Sequence, residues 1–170
     1  KLFLARDRFG EKPLYYTESN FIEGQVIFGS EINAIVAHPS FSPRINKAAL
    51  AQYMRFGYVP APASIYLGIS KVMPGRIIEI DSRTLQYHEE EYWNPLDIAK
   101  QARQNIFTGS MIEATNSLEK LLIKKIENQM LSDVPLGVFL SGGIDSSLVT
   151  SMMQAISKKP VKTFTIGFEE

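Results

Sequence analysis

The sequence predicts a protein of two parts, a region of short strands and helices followed by the start of an α/β fold with parallel strands. Residues 1–31 are rich in strand-like segments punctuated by turns. Residues 94–110 are polar and lose hydrophobic periodicity, which predicts a boundary. Residues 134–168 read as strand, glycine-rich loop, helix and strand, a unit that normally joins two parallel strands through a right-handed crossover.

The composition is that of a globular protein without a strong preference for charged partners. Lys plus Arg and Asp plus Glu number 18 each, so the net charge is zero, which argues against electrostatic attachment to nucleic acid or an anionic membrane. The 170 residues contain no cysteine, which excludes a disulfide, a thiolate metal site and a cysteine nucleophile among them and suits a cytoplasmic protein. No apolar run approaches the ~20 residues that span a bilayer. Because the chain opens without methionine and stops after a predicted strand, we expect an internal piece of a longer protein.

The first 31 residues favour three strands and then a helix. The strand-like segments are KLFLAR, LYYTE and QVIFGS. Ser30 suits a helix N-cap, with Glu31 in the first turn and Pro39 beyond the end. The expected buried stripe of this helix is Ile32, Ile35 and Val36.

The middle of the chain predicts a second helix and a hairpin. In INKAALAQYMRFG, Asn46 is the expected cap and Gly57 the expected end. The expected buried face is Leu50, Tyr53 and Met54. YVPAPASIY reads as an extended connection, and VMPGRIIEID as a tight turn and a strand, with TLQYHEEEYW as its antiparallel partner.

After the polar stretch, MIEATNSLEKLLIKKIENQML predicts a long amphipathic helix with lysines on its outer face. Its apolar residues are Leu118, Leu122, Ile126 and Met130, with Leu121 beside them.

The stretch LGVFLSGGIDSSLV, residues 136–149, has the pattern of a phosphate-binding turn. A strand that turns abruptly into a helix leaves the first N–H groups of the helix without internal partners, and the helix dipole favours an anion there. Gly142 and Gly143 have no Cβ, so the backbone can approach a phosphate closely. Asp145 would repel a bare phosphate, but its presence is explained if Mg²⁺ bridges the carboxylate and phosphate oxygens. The candidate hydroxyl donors are Ser141, Ser146 and Ser147.

Other glycine motifs fit this stretch poorly. It has no lysine for a P-loop, no G-x-G-x-x-G pattern, and no serine with the glycine spacing of a nucleophile elbow. The alternative is a structural Gly-Gly turn whose serines cap a helix, and two glycines alone would favour it. The whole string S-G-G-I-D-S-S directly after an apolar strand favours phosphate binding.

S-G-G-I-D-S resembles the pyrophosphate loop, S-G-G-x-D-S, of the ATP-pyrophosphatase superfamily, whose members split ATP into AMP and pyrophosphate. The loop alone does not separate asparagine synthetase from GMP synthetase, NAD synthetase or tRNA-modifying enzymes. Four segments in one order do resemble glutamine-hydrolysing asparagine synthetase: RDRFGEKPLYY, FGSEINAI, YMRFGYVPAPASIYLGISKVMPG and SDVPLGVFLSGGIDSS. The resemblance covers essentially the whole chain, with small departures such as Met73, where the family often carries proline.

The resemblance implies what the two parts are. Residues 1–94 would be the C-terminal part of a glutamine amidotransferase type-2 domain with an α+β Ntn-type fold. Residues 95–110 would be a linker, and residues 111–170 the N-terminal part of an α/β, adenine nucleotide hydrolase-like ATP-pyrophosphatase domain with a parallel sheet. The implied cofactors are ATP and Mg²⁺. The implied partners are aspartate, glutamine and ATP, without nucleic acid or membrane, and a homodimer of the full-length protein is compatible with the family.

The resemblance assigns nucleotide contacts to the second part alone. Asp145 matches the acid associated with Mg²⁺ and pyrophosphate. Phe139 and Ile166 match positions whose backbone groups hold adenine, at the carboxyl ends of adjacent parallel strands, although both also suit plain core packing. No catalytic residue is assigned, since the family's cysteine nucleophile and glutamine-binding groups lie upstream of Lys1. The residues that match the pyrophosphate loop are Ser141, Gly142, Gly143, Ser146 and Ser147.

Conspicuous polar and aromatic residues of the first part favour structural roles. We expect Arg6 and Asp7 to form an ion pair that braces a turn rather than a catalytic pair. Glu31 suits a helix start, a partner for Arg6 or a domain interface, and His38 and His88 have no evident partners in the sequence. Packing between domains is favoured over a base-stacking platform for the aromatic cluster of Phe56, Tyr58, Tyr66 and Trp93.

The resemblance therefore implies part of an ATP-dependent ligase that makes asparagine from aspartate and glutamine or ammonia through β-aspartyl-AMP, and we expect these residues alone to be inactive. A first alternative keeps the fold and changes the carboxylate, as in β-lactam synthetases, lasso-peptide cyclases or enzymes of surface-polysaccharide pathways. A second, a pyrophosphate-loop enzyme acting on tRNA, is disfavoured by the zero net charge. A third is a non-catalytic scaffold module, which would have no physical need for the intact loop.

Overall fold

The computed structural model describes residues 1–18 and 21–167 and divides the chain into two compact units, Lys1–Gln104 and Asn105–Glu170. The described elements of the first unit are β1 Leu2–Ala5, β2 Tyr15–Thr17, β3 Phe28–Gly29, α1 Ile32–Val36, α2 Lys47–Phe56, β4 Ile69–Lys71, β5 Arg76–Ile80, β6 Tyr87–Glu91 and α3 Pro95–Gln104. Those of the second unit are α4 Met111–Gln129, β7 Gly137–Phe139, α5 Ile144–Ile156 and β8 Lys162–Phe164.

One antiparallel sheet of the first unit has the strand order β1-β5-β6. Leu4 lies opposite Ile78, and Ile78 lies opposite Glu89 on the other side. Ile78 and Ile80 are buried, whereas β6 is exposed along its whole length, so this edge of the sheet lies in solvent. The predicted hairpin of β5 and β6 is confirmed. The buried core cluster to which this sheet contributes consists of Leu4, Tyr16, Val72, Ile78 and Ile80.

A second antiparallel sheet, of order β3-β2-β4, carries a separate core. Ile35 of α1 is completely buried, which confirms the predicted helix and its apolar stripe. The predicted Ser30 cap is wrong, because α1 begins at Ile32 and Glu31 occupies the N-cap position without a side-chain hydrogen bond. Strand β4 was not predicted. The buried core is Ile22, Ile35, Phe41 and Ile69.

Helix α2 begins and ends as predicted, but its apolar face is not buried. Asn46 accepts hydrogen bonds from the amides of Ala48 and Ala49, and Gly57 ends the helix with a φ of +76°. The buried residue is Ala49, whereas the three residues of the expected face remain largely exposed: Leu50 (41%), Tyr53 (49%) and Met54 (78%). Hydrophobic periodicity identifies an apolar stripe, but it does not show whether another element covers it.

Helix α3 lies within the stretch predicted to be a linker. The Asn94 side chain accepts a hydrogen bond from the Leu96 amide, and Pro95 occupies the first helical position, where its missing N–H has no cost. This capping pair is a local sequence signal for a helix start that does not depend on hydrophobic periodicity. The predicted limits of the two domains and of the linker stay predictions.

In the second unit, α4 begins with a capping box. The Ser110 hydroxyl accepts from the Glu113 amide at 3.3 Å, and the Glu113 carboxylate accepts from the Ser110 amide at 2.7 Å. The predicted order of strand, loop, helix and strand is confirmed for β7, α5 and β8. Strands β7 and β8 pair in parallel, with Phe139 opposite Phe164.

The described residues form a mixed α/β structure with small sheets. The Ntn-type fold of the first part and the ATP-pyrophosphatase-type sheet of the second stay predictions. Within the described ranges, no helix is long and apolar enough to cross a membrane.

Candidate functional site

The glycine-rich loop lies between the end of β7 and the start of α5. Gly142 has a φ of +81°, a left-handed conformation that favours glycine. Gly143 is the N-cap residue of α5 and has an ordinary φ of −74°. A Cβ built on Gly143 would lie 3.5 Å from the Ser141 hydroxyl, which is normal contact. The positive φ therefore favours glycine at 142, where a Cβ would meet open space, while at 143 a Cβ would lie in ordinary contact with the hydroxyls of Ser141 and Ser146.

The amino-terminal end of α5 presents backbone donors next to this loop. Its first helical hydrogen bond runs from the Ser147 amide to the Gly143 carbonyl at 3.1 Å. The amides of Ile144, Asp145 and Ser146 therefore precede the helical pattern, and helix geometry directs them towards the loop end. This arrangement can bind an anion.

Two of the three predicted serines bond mainly to each other. The Ser146 hydroxyl accepts from the Ser141 amide at 3.3 Å, lies 3.0 Å from the Ser141 hydroxyl and donates to the Gly143 carbonyl at 3.1 Å. The Ser141 hydroxyl also accepts from the Gly143 amide at 3.4 Å. Ser147 is exposed on the next helical position. The hydroxyls of Ser141 and Ser146 thus close the loop on itself.

Asp145 lies exposed in the first turn of α5. In the part of the chain that the structure describes, no group of three or more His, Asp or Glu side chains could hold a metal ion. A single carboxylate still fits Mg²⁺, since this ion is commonly held by one or two carboxylates together with substrate phosphates and water. The residues present therefore fit Mg²⁺ that arrives with a nucleotide.

Phe139 and Ile166 line the same open cavity, of about 560 Å³, at the carboxyl ends of β7 and β8. Two hydrogen bonds hold these ends together: the Leu140 amide donates to the Phe164 carbonyl at 2.9 Å, and the Thr165 hydroxyl donates to the Leu140 carbonyl at 2.7 Å. Phe139 is 78% and Ile166 77% exposed, so in this structure neither is a core residue. The cavity is lined by Phe139, Leu140, Ser141, Phe164, Thr165 and Ile166.

The cavity contains residues that the sequence did not single out. Thr165 ties the two strand ends together, and its position after the second parallel strand could have suggested it. Gly137 of β7 is not part of the cavity lining, but a Cβ there would lie 2.3 Å from the Phe164 ring, which does line the cavity. The missing side chain lets Phe164 pack across β7.

In the first unit, Arg6 and Asp7 brace a turn but do not pair with each other. The Arg6 guanidinium donates to the carbonyls of Gly10, Lys12 and Val72 at 2.8, 3.2 and 2.7 Å. The Asp7 carboxylate accepts from the amides of Phe9, Glu11 and Lys12 at 3.1, 2.9 and 3.1 Å. The Glu11 amide, followed by that of Lys12, lowers the pKa of Asp7 below its usual range. The predicted brace is confirmed and the ion pair is wrong, because both groups are used by the backbone.

The structure gives different environments to the other polar residues of the first unit, which are His38, His88 and Glu31. His38 has a partner, since its Nδ1 accepts from the Ser40 amide at 3.3 Å. His88 lies opposite Glu79 in the β5–β6 hairpin. Glu31 does not pair with Arg6, because the Arg6 guanidinium donates its hydrogen bonds to the three backbone carbonyls described above.

The four aromatic residues do not form one cluster. Trp93 packs edge-on against Phe9 with 4.9 Å between the ring centroids, and Tyr66 packs edge-on against Phe41 with 6.4 Å between the ring centroids. The ring centroids of Phe56 and Tyr58 lie 6.2 Å apart. Local neighbours, rather than a shared platform, explain each of these rings.

These features define a mixed α/β protein with antiparallel sheets in one unit and a loop between parallel strands in the other. The chain belongs to the glutamine amidotransferase domain family, whose model matches residues 1–93. A second family model, asparagine synthase, matches residues 117–170.

Curated relatives match along nearly the whole chain. It is 32% identical over 174 residues to asparagine synthetase [glutamine-hydrolyzing] 3 of Bacillus subtilis, covering 99% of this chain and 26% of the relative. It is 35% identical over 174 residues to a putative asparagine synthetase [glutamine-hydrolyzing] 2 of Methanocaldococcus jannaschii, covering 99% of this chain and 31% of the relative. The chain is 26% identical over 185 residues to amidase chyE of Penicillium rubens, and the match covers 99% of this chain and 25% of the relative. The chain thus spans a quarter to a third of the length of these relatives.

Proposed function

We propose that this chain is part of an ATP-dependent, amide-forming ligase that makes asparagine from aspartate, with glutamine or ammonia as the nitrogen source. The observation that carries the proposal is the S-G-G-I-D-S loop at the start of α5, in a chain that also matches the glutamine amidotransferase domain family. Matches to relatives named glutamine-hydrolysing asparagine synthetases support it.

In this proposal the loop binds the pyrophosphate part of ATP. The amides at the start of α5 donate to phosphate oxygens, and the missing Cβ atoms of Gly142 and Gly143 allow close approach. Ser147 is the exposed hydroxyl for a further contact, while Ser141 and Ser146 hold the loop closed. Mg²⁺, when bound, would neutralise phosphate charge, and the Asp145 carboxylate would be its ligand on this chain.

The cavity at the ends of β7 and β8 is the proposed adenine pocket. Phe139 and Ile166 supply apolar surface on its two sides, and backbone groups at the strand ends supply polar contacts for a base edge. The aspartate side-chain carboxylate would then attack the α-phosphorus and release pyrophosphate. Ammonia would attack the resulting acyl carbon of β-aspartyl-AMP and release AMP.

The proposal divides the chain by role. Residues 1–94 would belong to an Ntn-type glutaminase domain, 95–110 to a connection and 111–170 to the synthetase domain. Because the 170 residues contain no cysteine, we expect them alone to lack glutaminase activity, and we expect no asparagine synthesis from them alone. A cytoplasmic location and a homodimer of the complete protein belong to the same proposal.

A second candidate function keeps the adenylation chemistry and changes the carboxylate. It is supported by the match to a relative named as an amidase rather than as an asparagine synthetase. The loop and the cavity described above would serve either reaction, because in this proposal they bind ATP and do not contact the carboxylate that accepts the nitrogen.

The test is pyrophosphate release from ATP by the complete gene product, with each candidate carboxylate and with glutamine or ammonia. Release that depends on aspartate and falls by about a hundredfold or more in Asp145→Ala supports the proposal. Asp97→Ala, an exposed aspartate on α3, is the matched control and should keep full activity. Release with another carboxylate favours the second candidate, and no release with any carboxylate favours a non-catalytic module.

A further inference from the structure

An open cavity of about 580 Å³ lies in the first unit, away from the glycine-rich loop in sequence and in a different unit. Its wall includes Tyr15 of β2, Leu50 and Tyr53 of α2, Tyr58 and Lys71 of β4. Cavities of about 300–1,000 Å³ with mainly apolar walls and a few polar groups are typical of small-molecule sites. The exposed apolar face of α2 therefore forms part of a concave surface rather than a flat one.

Lys71 is the charged residue of this wall. Its side chain is half-buried, its ammonium donates to the Val59 carbonyl, and it lies 5.9 Å from the centre of the Tyr15 ring. Within the described residues, none of the ion pairs involves Lys71. Burial, and then the nearby Arg6 guanidinium, lower the pKa of Lys71. A half-buried cation beside a second cation is stabilised when an anion joins it.

The wall also excludes other kinds of ligand. Asp and Glu are absent from the described lining, so a cation would find no partner there. One ammonium donor in an apolar wall suits a single carboxylate attached to an apolar body, because each additional charged group would be buried without a partner. Tyr53 and Tyr58, which are 49% and 62% exposed, offer ring surface for that body.

We propose that this cavity binds a small monocarboxylate with an apolar, ring-sized body, whose carboxylate pairs with the Lys71 ammonium. The geometry that carries the proposal is the apolar cavity with one cation and no anion among the described residues of its wall. The site is separate from the proposed ATP site, and it does not depend on the reaction proposed for that site.

The test is ligand binding by the complete gene product, measured by calorimetry or ligand-observed NMR with 3-phenylpropanoate. The neutral isostere 3-phenylpropanamide is the matched ligand control. The acid should bind at least about tenfold more tightly than the amide. Lys71→Met should remove this difference by weakening the acid alone, and Lys47→Met, a charge change on α2 outside the cavity wall, should preserve it.

Should Lys71→Met fail to fold, Lys71→Arg and Tyr53→Ala test the same wall. Arginine keeps the charge and should retain the preference for the acid. Tyr53→Ala removes half-exposed ring surface and should weaken both ligands by about threefold or more. Equal binding of acid and amide overturns the proposal, as does no binding at about 10 mM, including the case in which another polypeptide segment covers the cavity. The assay contains neither ATP nor glutamine, so its failure is distinct from failure of the pyrophosphate assay.

Discussion

The Arg6 guanidinium donates to the Val72 carbonyl at 2.7 Å, across 66 residues of sequence. The same guanidinium holds the carbonyls of Gly10 and Lys12, so one side chain ties the turn after β1 to the end of β4. Three acceptors in different directions match the flat, multi-donor guanidinium and not a single ammonium.

The first prediction concerns this brace. Arg6→Lys should lower the free energy of unfolding by about 1–3 kcal/mol, because lysine cannot reach all three carbonyls and leaves partly buried acceptors unpaired. Arg8→Lys, an exposed neighbour, is the control and should change stability by less than about 0.5 kcal/mol. Urea unfolding followed by circular dichroism measures both values. Equal stability of the two variants would show that the brace is dispensable.

The second prediction separates backbone strain from steric clash at two glycines with similar φ. Gly75 has a φ of +69° and a Cβ there would lie 2.3 Å from the Trp93 carbonyl oxygen, whereas Gly57 has a φ of +76° and open space. Gly57→Ala should cost about 1–2 kcal/mol from the left-handed conformation alone. Gly75→Ala should cost about 1–3 kcal/mol more, because the backbone has to move. Thermal and urea unfolding give the difference, which would be near zero if the β5–β6 hairpin shifts freely.

The third prediction concerns the glycine-rich loop without any ligand. Ser146→Ala removes the acceptor of the Ser141 amide and the donor to the Gly143 carbonyl. Hydrogen exchange at the Ser141 amide should therefore accelerate, by about threefold to tenfold for the loss of one ordinary hydrogen bond. Ser147→Ala, on the next and exposed position, should leave that exchange rate unchanged. A rate unaffected by Ser146→Ala would mean that this hydroxyl does not hold the loop.

The fourth prediction is a pH dependence at Asp7. Backbone hydrogen bonds, that of Glu11 first, lower the pKa of Asp7 from its usual value of 3.8 in the folded chain. The ionised carboxylate is the form these amides stabilise, so its contribution is present above pH 3.8 and is lost as the pH falls through the lower folded pKa.

The stability difference between wild type and Asp7→Asn should thus be present at neutral pH and shrink in acid. Asp133→Asn is the control, because among the described residues no backbone amide bonds to the Asp133 carboxylate. Urea unfolding at a series of pH values measures both differences. A difference for Asp7→Asn that does not change with pH would argue against the three amides as its cause.

Local features were predictable because their causes lie within a few residues of each other. The Asn46 cap and the Gly57 end of α2 follow from side chains that bond or permit turns next to themselves. The glycine-rich loop between β7 and α5 follows from its own string of residues. The Ser30 cap failed at the same scale, since Glu31 takes the cap position. The helix that starts at Asn94-Pro95 was not predicted.

The sequence by itself determined the order of the elements, the loop at the start of α5 and the family of the chain, because these depend on neighbouring residues and on whole motifs. Only the tertiary structure decided what is buried and what meets across long separations. It exposed Tyr53 although its stripe is apolar, and it placed Lys71 in the wall of a cavity whose described lining contains no Asp or Glu. Burial and long-range contact depend on which surfaces pack together, and a residue pattern along one element does not specify its neighbour.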